Sequence, residues 1–169
     1  GCCLNGVCQP GNTAAACGKA AVQCSGCLTG QVCRVDQQCG VDPMSTWKVQ
    51  PISGVIAASN NGSAWDGDNS PPDVIVSSMC PPFVTTTFVV TPESESYTPS
   101  WSSGSCVAKA SDLLSAGWRF YLSDSDVVVN DSVSGNLVHL FTEAEFVAAT
   151  ATLGPANAMQ SITVRVTRQ

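Results

Sequence analysis

Residues 65–76 read Trp65-Asp66-Gly67-Asp68-Asn69-Ser70-Pro71-Pro72-Asp73-Val74-Ile75-Val76. A turn-rich acidic loop runs without a break into a β-branched run. A second stretch has the same parts in reverse order. Trp118-Arg119-Phe120-Tyr121-Leu122 is followed by Ser123-Asp124-Ser125-Asp126-Val127-Val128-Val129-Asn130-Asp131. Short apolar or aromatic runs bounded by Gly, Pro, Ser, Asn and Asp are strand signals, and this spacing suits a mainly β, antiparallel sandwich.

The neighbouring sequence continues the pattern. Trp47 to Ala57 alternates imperfectly, and Phe83-Val84 and Thr87-Phe88-Val89-Val90 are further short runs. Ile162, Val164 and Val166 alternate with Thr163, Arg165 and Thr167, which predicts a closing strand with one buried face. One helix is predicted. Thr142-Glu143-Ala144-Glu145 is a capping box, Phe146 to Ala151 continues it, and Gly154-Pro155 ends it.

Six of the nine Asp lie in the two acidic loops. Packed carboxylates repel and raise one another's pKa, a problem that a hard divalent cation resolves. Calcium takes six to eight oxygens from flexible loops. The competing reading is that these Asp residues only cap turns. Two such loops, each joined to a β-run, favour calcium. An EF-hand fits poorly: Pro71 stands where Gly is required and Ser77 where the bidentate Glu belongs.

The first 40 residues are different. They contain Cys2, Cys3, Cys8, Cys17, Cys24, Cys27, Cys33 and Cys39 among Gly, Asn, Gln, Ala and Thr. So short a segment cannot offset its chain entropy by burial alone. Four disulfides would supply the stability, in an oxidising compartment. Zinc is the weaker alternative, because Cys24-Ser25-Gly26-Cys27 is a lone knuckle. No βαβ pattern surrounds it to suggest a thioredoxin-type site. Roughly a hundred pairings are open to eight cysteines, so the connectivity is not legible. Cys80 and Cys106 are expected to form a fifth bridge, with two buried thiols as the alternative.

These contrasts divide the chain into a disulfide-rich knob at 1–40 and a sandwich at 44–169, joined at Val41-Asp42-Pro43. Of the 169 residues only 7 are Lys or Arg, against 13 Asp or Glu. The net charge of -6 argues against nucleic acid as a partner. No apolar run approaches the ~18–20 residues of a membrane span. No charged-then-apolar leader opens the sequence, so any signal peptide is expected either to have been removed already or to lie outside these residues.

Taken together, the acidic loops resemble those of a C2 domain, a Greek-key β-sandwich whose loops share calcium at one end. Asp68 with Pro72-Asp73-Val74-Ile75-Val76 matches its first acidic element. Thr85-Thr86-Thr87 with Pro99-Ser100-Trp101 matches its middle element. Asp124-Ser125-Asp126 with Asn130-Asp131 and Gly135 matches its last. The resemblance implies calcium ligands from Asp66 or Asp68, then Asp73, Asp124, Asp126 and Asp131. It departs where Val74-Ile75 replaces an aromatic and where the last loop is one residue short. The cysteine spacing also resembles small Cys/Gly-rich modules of bacterial, particularly myxobacterial, surface proteins, and its vicinal pair that of knottin-like peptides.

Enzyme activity is not expected. The chain has a single histidine, His139, in an apolar stretch, and it contains no G-x-S-x-G, H-E-x-x-H or phosphate-loop motif. The expected function is that of an extracellular or cell-surface structural or adhesive protein. It would bind calcium and a protein, a surface polymer or copies of itself, the last leading to a filament. Calcium-dependent membrane or lipid binding is the alternative, and no polybasic face supports it. The apolar Val127–Val129 tip would be a membrane- or partner-inserting element or, as the favoured reading, a buried loop hydrophobe. An accessory domain of a larger secreted enzyme is the third reading.

Overall fold

The computed structural model describes residues 1–84, 87–126 and 130–169. The first elements are short ladders. β1 (Cys2–Leu4) pairs with β2 (Val7–Gln9), β3 (Asn12–Thr13) with β4 (Ala16–Cys17), and β5 (Gln31–Cys33) with β6 (Cys39–Val41). Asn5 and Gly6 link β1 to β2 with φ of 50° and 78°, the left-handed pair that a tight hairpin requires. Three disulfides brace this region: Cys2–Cys24, Cys17–Cys33 and Cys27–Cys39. Cys24 and Cys27, weighed above as a zinc knuckle, are thus each committed to a disulfide.

The rest is two antiparallel sheets. The first has the order β11 (Cys106–Lys109), β7 (Thr46–Ile56), β16 (Met159–Arg168), β15 (Thr150–Leu153). The second runs β10 (Ser94–Glu95), β8 (Asp73–Met79), β12 (Trp118–Asp124), β13 (Asp131–Ser132). In it β9 (Val89–Val90) also pairs with β8, and β14 (Leu137–His139) with β12. One core lies between them. Trp47, Val49, Ile162, Val164 and Val166 enter it from the first sheet, and Val74, Val76, Trp118, Phe120 and Leu122 from the second. The alternation read along 162–167 is the buried face of β16. The mainly β antiparallel sandwich with an N-terminal disulfide-rich, loop-rich region is therefore the observed fold class.

Two helical turns cap the far end. Ala110–Ser115 forms α1, and its Leu113 is buried. Glu143–Ala148 forms α2. Thr142 caps it reciprocally with Glu145, as the sequence predicts. Buried Phe146 carries its ring to within 4.7 Å of the Trp47 ring centroid. The helix expected from the sequence is too long. Ala149 turns left-handed at φ 57°, and Thr150–Leu153 instead forms an edge strand on β16. Thr150 and Thr152 are β-branched, and pairing on β16 buries Ala151, which a longer helix would not. Phe83-Val84 is likewise not a strand. Phe83 lies under the Arg119 guanidinium at 3.8 Å instead.

Cys80–Cys106 ties the two sheets. Among the described residues, which include all ten cysteines, four disulfides form, not five. Cys3 and Cys8 are free thiols, with their Sγ atoms 2.9 Å apart. The cysteine-rich segment touches the sandwich directly. The guanidinium of Arg34 meets the Glu143 carboxylate at 2.7 Å, and Val41 is buried in the same core as Trp47.

Candidate metal centre

The acidic loops meet at one end of the sandwich because β8 begins there and β12 ends there, paired antiparallel with Asp124 opposite Val74. Trp65 anchors the first loop. Its indole Nε1–H donates to the Ala57 carbonyl at 2.9 Å, so that Asp66 follows a buried, fixed residue. The loop then turns, with the Asn69 amide donating to the Asp66 carbonyl at 3.0 Å. The Ser70 hydroxyl donates to Asp66 Oδ2 at 3.1 Å.

Asp124 is the centre of the arrangement. Only 1% of it is exposed. Its Oδ1 accepts from the Asp73 amide at 2.6 Å, while its Oδ2 is buried with no hydrogen-bond partner among the described residues. Burial pushes the Asp124 carboxyl up to about 6. The Asp73 amide bond opposes this, and the charges of Asp66, Asp126 and Asp73 add to it. Oxygens of Asp66, Asp124 and Asp126 all lie within 4.8 Å of one another. Two oxygens on opposite sides of one calcium stand about 4.6–5.2 Å apart, given ligand distances of about 2.3–2.6 Å. The three carboxylates are therefore spaced to share an ion. An oxygen set of this kind suits a hard cation.

The remaining candidates are placed differently. Asp73 lies beside the three. Burial raises its pKa first, and the charges of Glu93, Asp66 and Asp126 raise it further. Asp68 does not join them. It is an exposed turn cap whose Oδ1 accepts from the Ser70 amide at 3.0 Å, and its bonds to Ser70 hold its pKa below the usual range. Asp131 pairs with Asp124 across β12 and β13, but its Oδ2 accepts from the Asn60 amide group at 3.2 Å. The expected tip, Val127–Val129, lies outside the described residues, as do Thr85 and Thr86.

Sequence reasoning missed Glu93. Its Oε1 accepts from the Ser125 hydroxyl at 2.6 Å, and its charge acts on Asp73. It is not in either acidic loop, so no local pattern marks it. The charge distribution was also not legible. Asp66, Asp68, Asp73, Glu93, Glu95, Asp124, Asp126 and Asp131 all gather at this end. Lys48, Lys109, Arg119 and Arg168 are paired at the opposite end, with Thr167, Thr46, Met79 and Trp47 respectively. Among the described residues no Lys or Arg neutralises the acidic loops.

No protein-family profile matches the chain, and no curated protein sequence is similar to it. Its fold is similar to C2 domains of known structure. Over 76% of this chain it superposes on the SMP–C2A–C2B region of extended synaptotagmin 2 at a TM-score of 0.51 and 11% identity, covering 28% of that chain. The C2A domain of a plant extended synaptotagmin 1 gives 0.49 at 12% identity over 76% of this chain and 98% of its own. A further C2 domain gives 0.47 at 11% identity, with 74% and 98% covered. The architecture is thus C2-like. At such low identity the likeness extends to the fold alone, and the acidic site stands on its own geometry.

Proposed function

We propose that this chain is a calcium-binding, C2-like domain of an exported protein, with a structural or adhesive role. The observation that carries the reading is the buried Asp124 carboxylate: its Oδ2 has no hydrogen-bond partner among the described residues, and one of its oxygens lies within 4.8 Å of carboxylate oxygens of Asp66 and Asp126. An orphaned buried charge destabilises a fold unless a ligand completes it. Asp66, Asp124 and Asp126 would hold the ion, with Asp73 beside them. Bound calcium would supply positive charge where the protein has none, and could accept an oxygen ligand from a partner.

The protein's own residues do the rest. The Asp73 amide orients Asp124, Ser70 orients Asp66, and Asn130 braces the second acidic loop by accepting from the Asp126 amide at 3.2 Å. The four disulfides suit an oxidising compartment, which supports an extracellular or cell-surface location. The partner is a protein, a surface polymer or another copy of the chain, and the last would allow a filament. The lack, among the described residues, of a Lys or Arg paired with the acidic loops favours these over an anionic membrane. No catalytic role is part of this reading.

Thermal melting in calcium, in magnesium and in chelator tests it. A ligand at 100 times its dissociation constant adds about 2.7 kcal/mol, or about 5–10 °C for a chain of this size. An unchanged melt at millimolar calcium overturns the reading. Calcium-dependent flotation with anionic liposomes would replace the adhesive role with a membrane one.

A further inference from the structure

Cys3 and Cys8 stand directly opposite each other in the β1–β2 hairpin. The Cys3 amide donates to the Val22 carbonyl at 2.8 Å, and the Cys3 carbonyl accepts from the Cys24 amide at 3.0 Å. Neither backbone group of Cys3 is used on Cys8. The two are therefore a non-hydrogen-bonded pair, the position where cross-strand side chains come nearest. Their Sγ atoms are 2.9 Å apart. Two thiolates on one tetrahedral zinc would sit about 3.8 Å apart, from Zn–S distances of about 2.3 Å. The observed spacing is too tight to hold a metal between them and closer to that of a bond.

The pair also differs from the four closed bridges. Cys8 is exposed, whereas no cysteine of the four bridges is: Cys2, Cys17 and Cys24 are buried, and Cys27, Cys33, Cys39, Cys80 and Cys106 are half-buried, as Cys3 is. The four bridges span sequence separations of 12 to 26 residues, and this pair spans five. The stabilisation from cross-linking grows with loop length. A Cys3–Cys8 bridge would thus be both the most reachable and the least stabilised.

We propose that Cys3 and Cys8 form a thiol–disulfide exchange site, which closes with a small-molecule disulfide and reopens with a thiol while the other four bridges stay shut. This does not rest on the calcium reading. Cys8 loses its proton to solvent, and its thiolate attacks one sulfur of the small disulfide. A mixed disulfide forms and one thiolate leaves. Cys3 then loses its proton and attacks the Cys8 sulfur, expelling the second thiolate. Two protein thiols are oxidised, one small disulfide is reduced to two thiols, and the two protons end on those thiols. In the open pair the hydrogen bond with Cys8 raises the Cys3 thiol above its usual pKa, which leaves the exposed Cys8 as the entry sulfur.

The test equilibrates the intact folded chain in glutathione buffers graded from reduced to oxidised, then alkylates it and maps the labelled cysteines by mass spectrometry. Cys3 and Cys8 should gain and lose label together. The other eight should stay unlabelled across a range of reductant at least about tenfold wide. Labelling of Cys3 and Cys8 that persists in excess oxidised glutathione overturns the proposal, as does opening of the other bridges at the same reductant. A Cys3→Ser variant should trap glutathione on Cys8 in oxidised buffer. A folded variant that traps none overturns the assignment of Cys8 as the entry sulfur.

Discussion

The backbone amide of Asp73 donates to Oδ1 of Asp124 at 2.6 Å, while the other oxygen of Asp124 is buried with no partner among the described residues. One strand start thereby fixes the carboxylate at the other strand's end. Asp124→Asn should remove the buried charge while keeping the side chain's shape. The calcium-free variant is expected to melt higher than the parent, and its response to calcium should be largely lost. A variant that melts lower without calcium and keeps the full calcium shift would contradict the assignment.

Asp66 and Asp68 lie two residues apart but have different tasks. Asp66 shares the cluster with Asp124 and Asp126, whereas Asp68 caps the turn at Ser70. Asn caps such turns as well as Asp does. Asp66→Asn should therefore weaken calcium binding at least about tenfold, a loss of about 1.4 kcal/mol. Asp68→Asn should leave it nearly unchanged. Titration calorimetry on the two variants decides the matter, and equal losses would count against the distinction.

Stability in chelator should depend on pH in a defined direction. The Asp124 carboxyl titrates at about 6 in the folded chain, against an ordinary value of 3.8. Below about pH 4 both states hold the proton. Between about 4 and 6 the folded state keeps a proton that the unfolded state has lost, so stability falls as pH rises through this window. Above about 6 this group contributes no further change. The shift of about two units corresponds to at most about 3 kcal/mol. Asp73 adds to the trend, and the lowered Asp68 opposes it weakly. Urea unfolding across this range in chelator measures the slope, and saturating calcium should abolish or reverse it.

Thr142→Ala is expected to affect the opposite end alone. It removes the hydroxyl that accepts from the Glu145 amide at 3.3 Å. The loss of a cap costs about 1 kcal/mol, or about 2–4 °C in melting temperature. The calcium-induced shift should be the same as in the parent. A diminished shift, measured by calorimetry, would show that the two ends are coupled.

The strand runs, the single-face burial of β16 and the capping box could all be read in advance. Each depends on residues a few positions apart, where side-chain period and local hydrogen bonds decide the outcome. The end of α2 could not be read. Ala148, Ala149 and Ala151 are helix formers that favour continuation locally, yet the open edge of β16 captures Thr150–Leu153.

By itself the sequence determined the alternation of strands and acidic loops, the oxidised cysteine-rich start, and the excess of carboxylates over cations. These follow from composition and near-neighbour pattern. Tertiary structure alone decided that Asp66 meets Asp124 and Asp126, that Glu93 joins their field, that Asp68 does not, and that Cys3 and Cys8 are left as the open pair. Those relations link residues far apart in the chain or opposed across a hairpin. They are set by strand register and burial, where a shift of one residue would turn every side chain to the other face of its sheet.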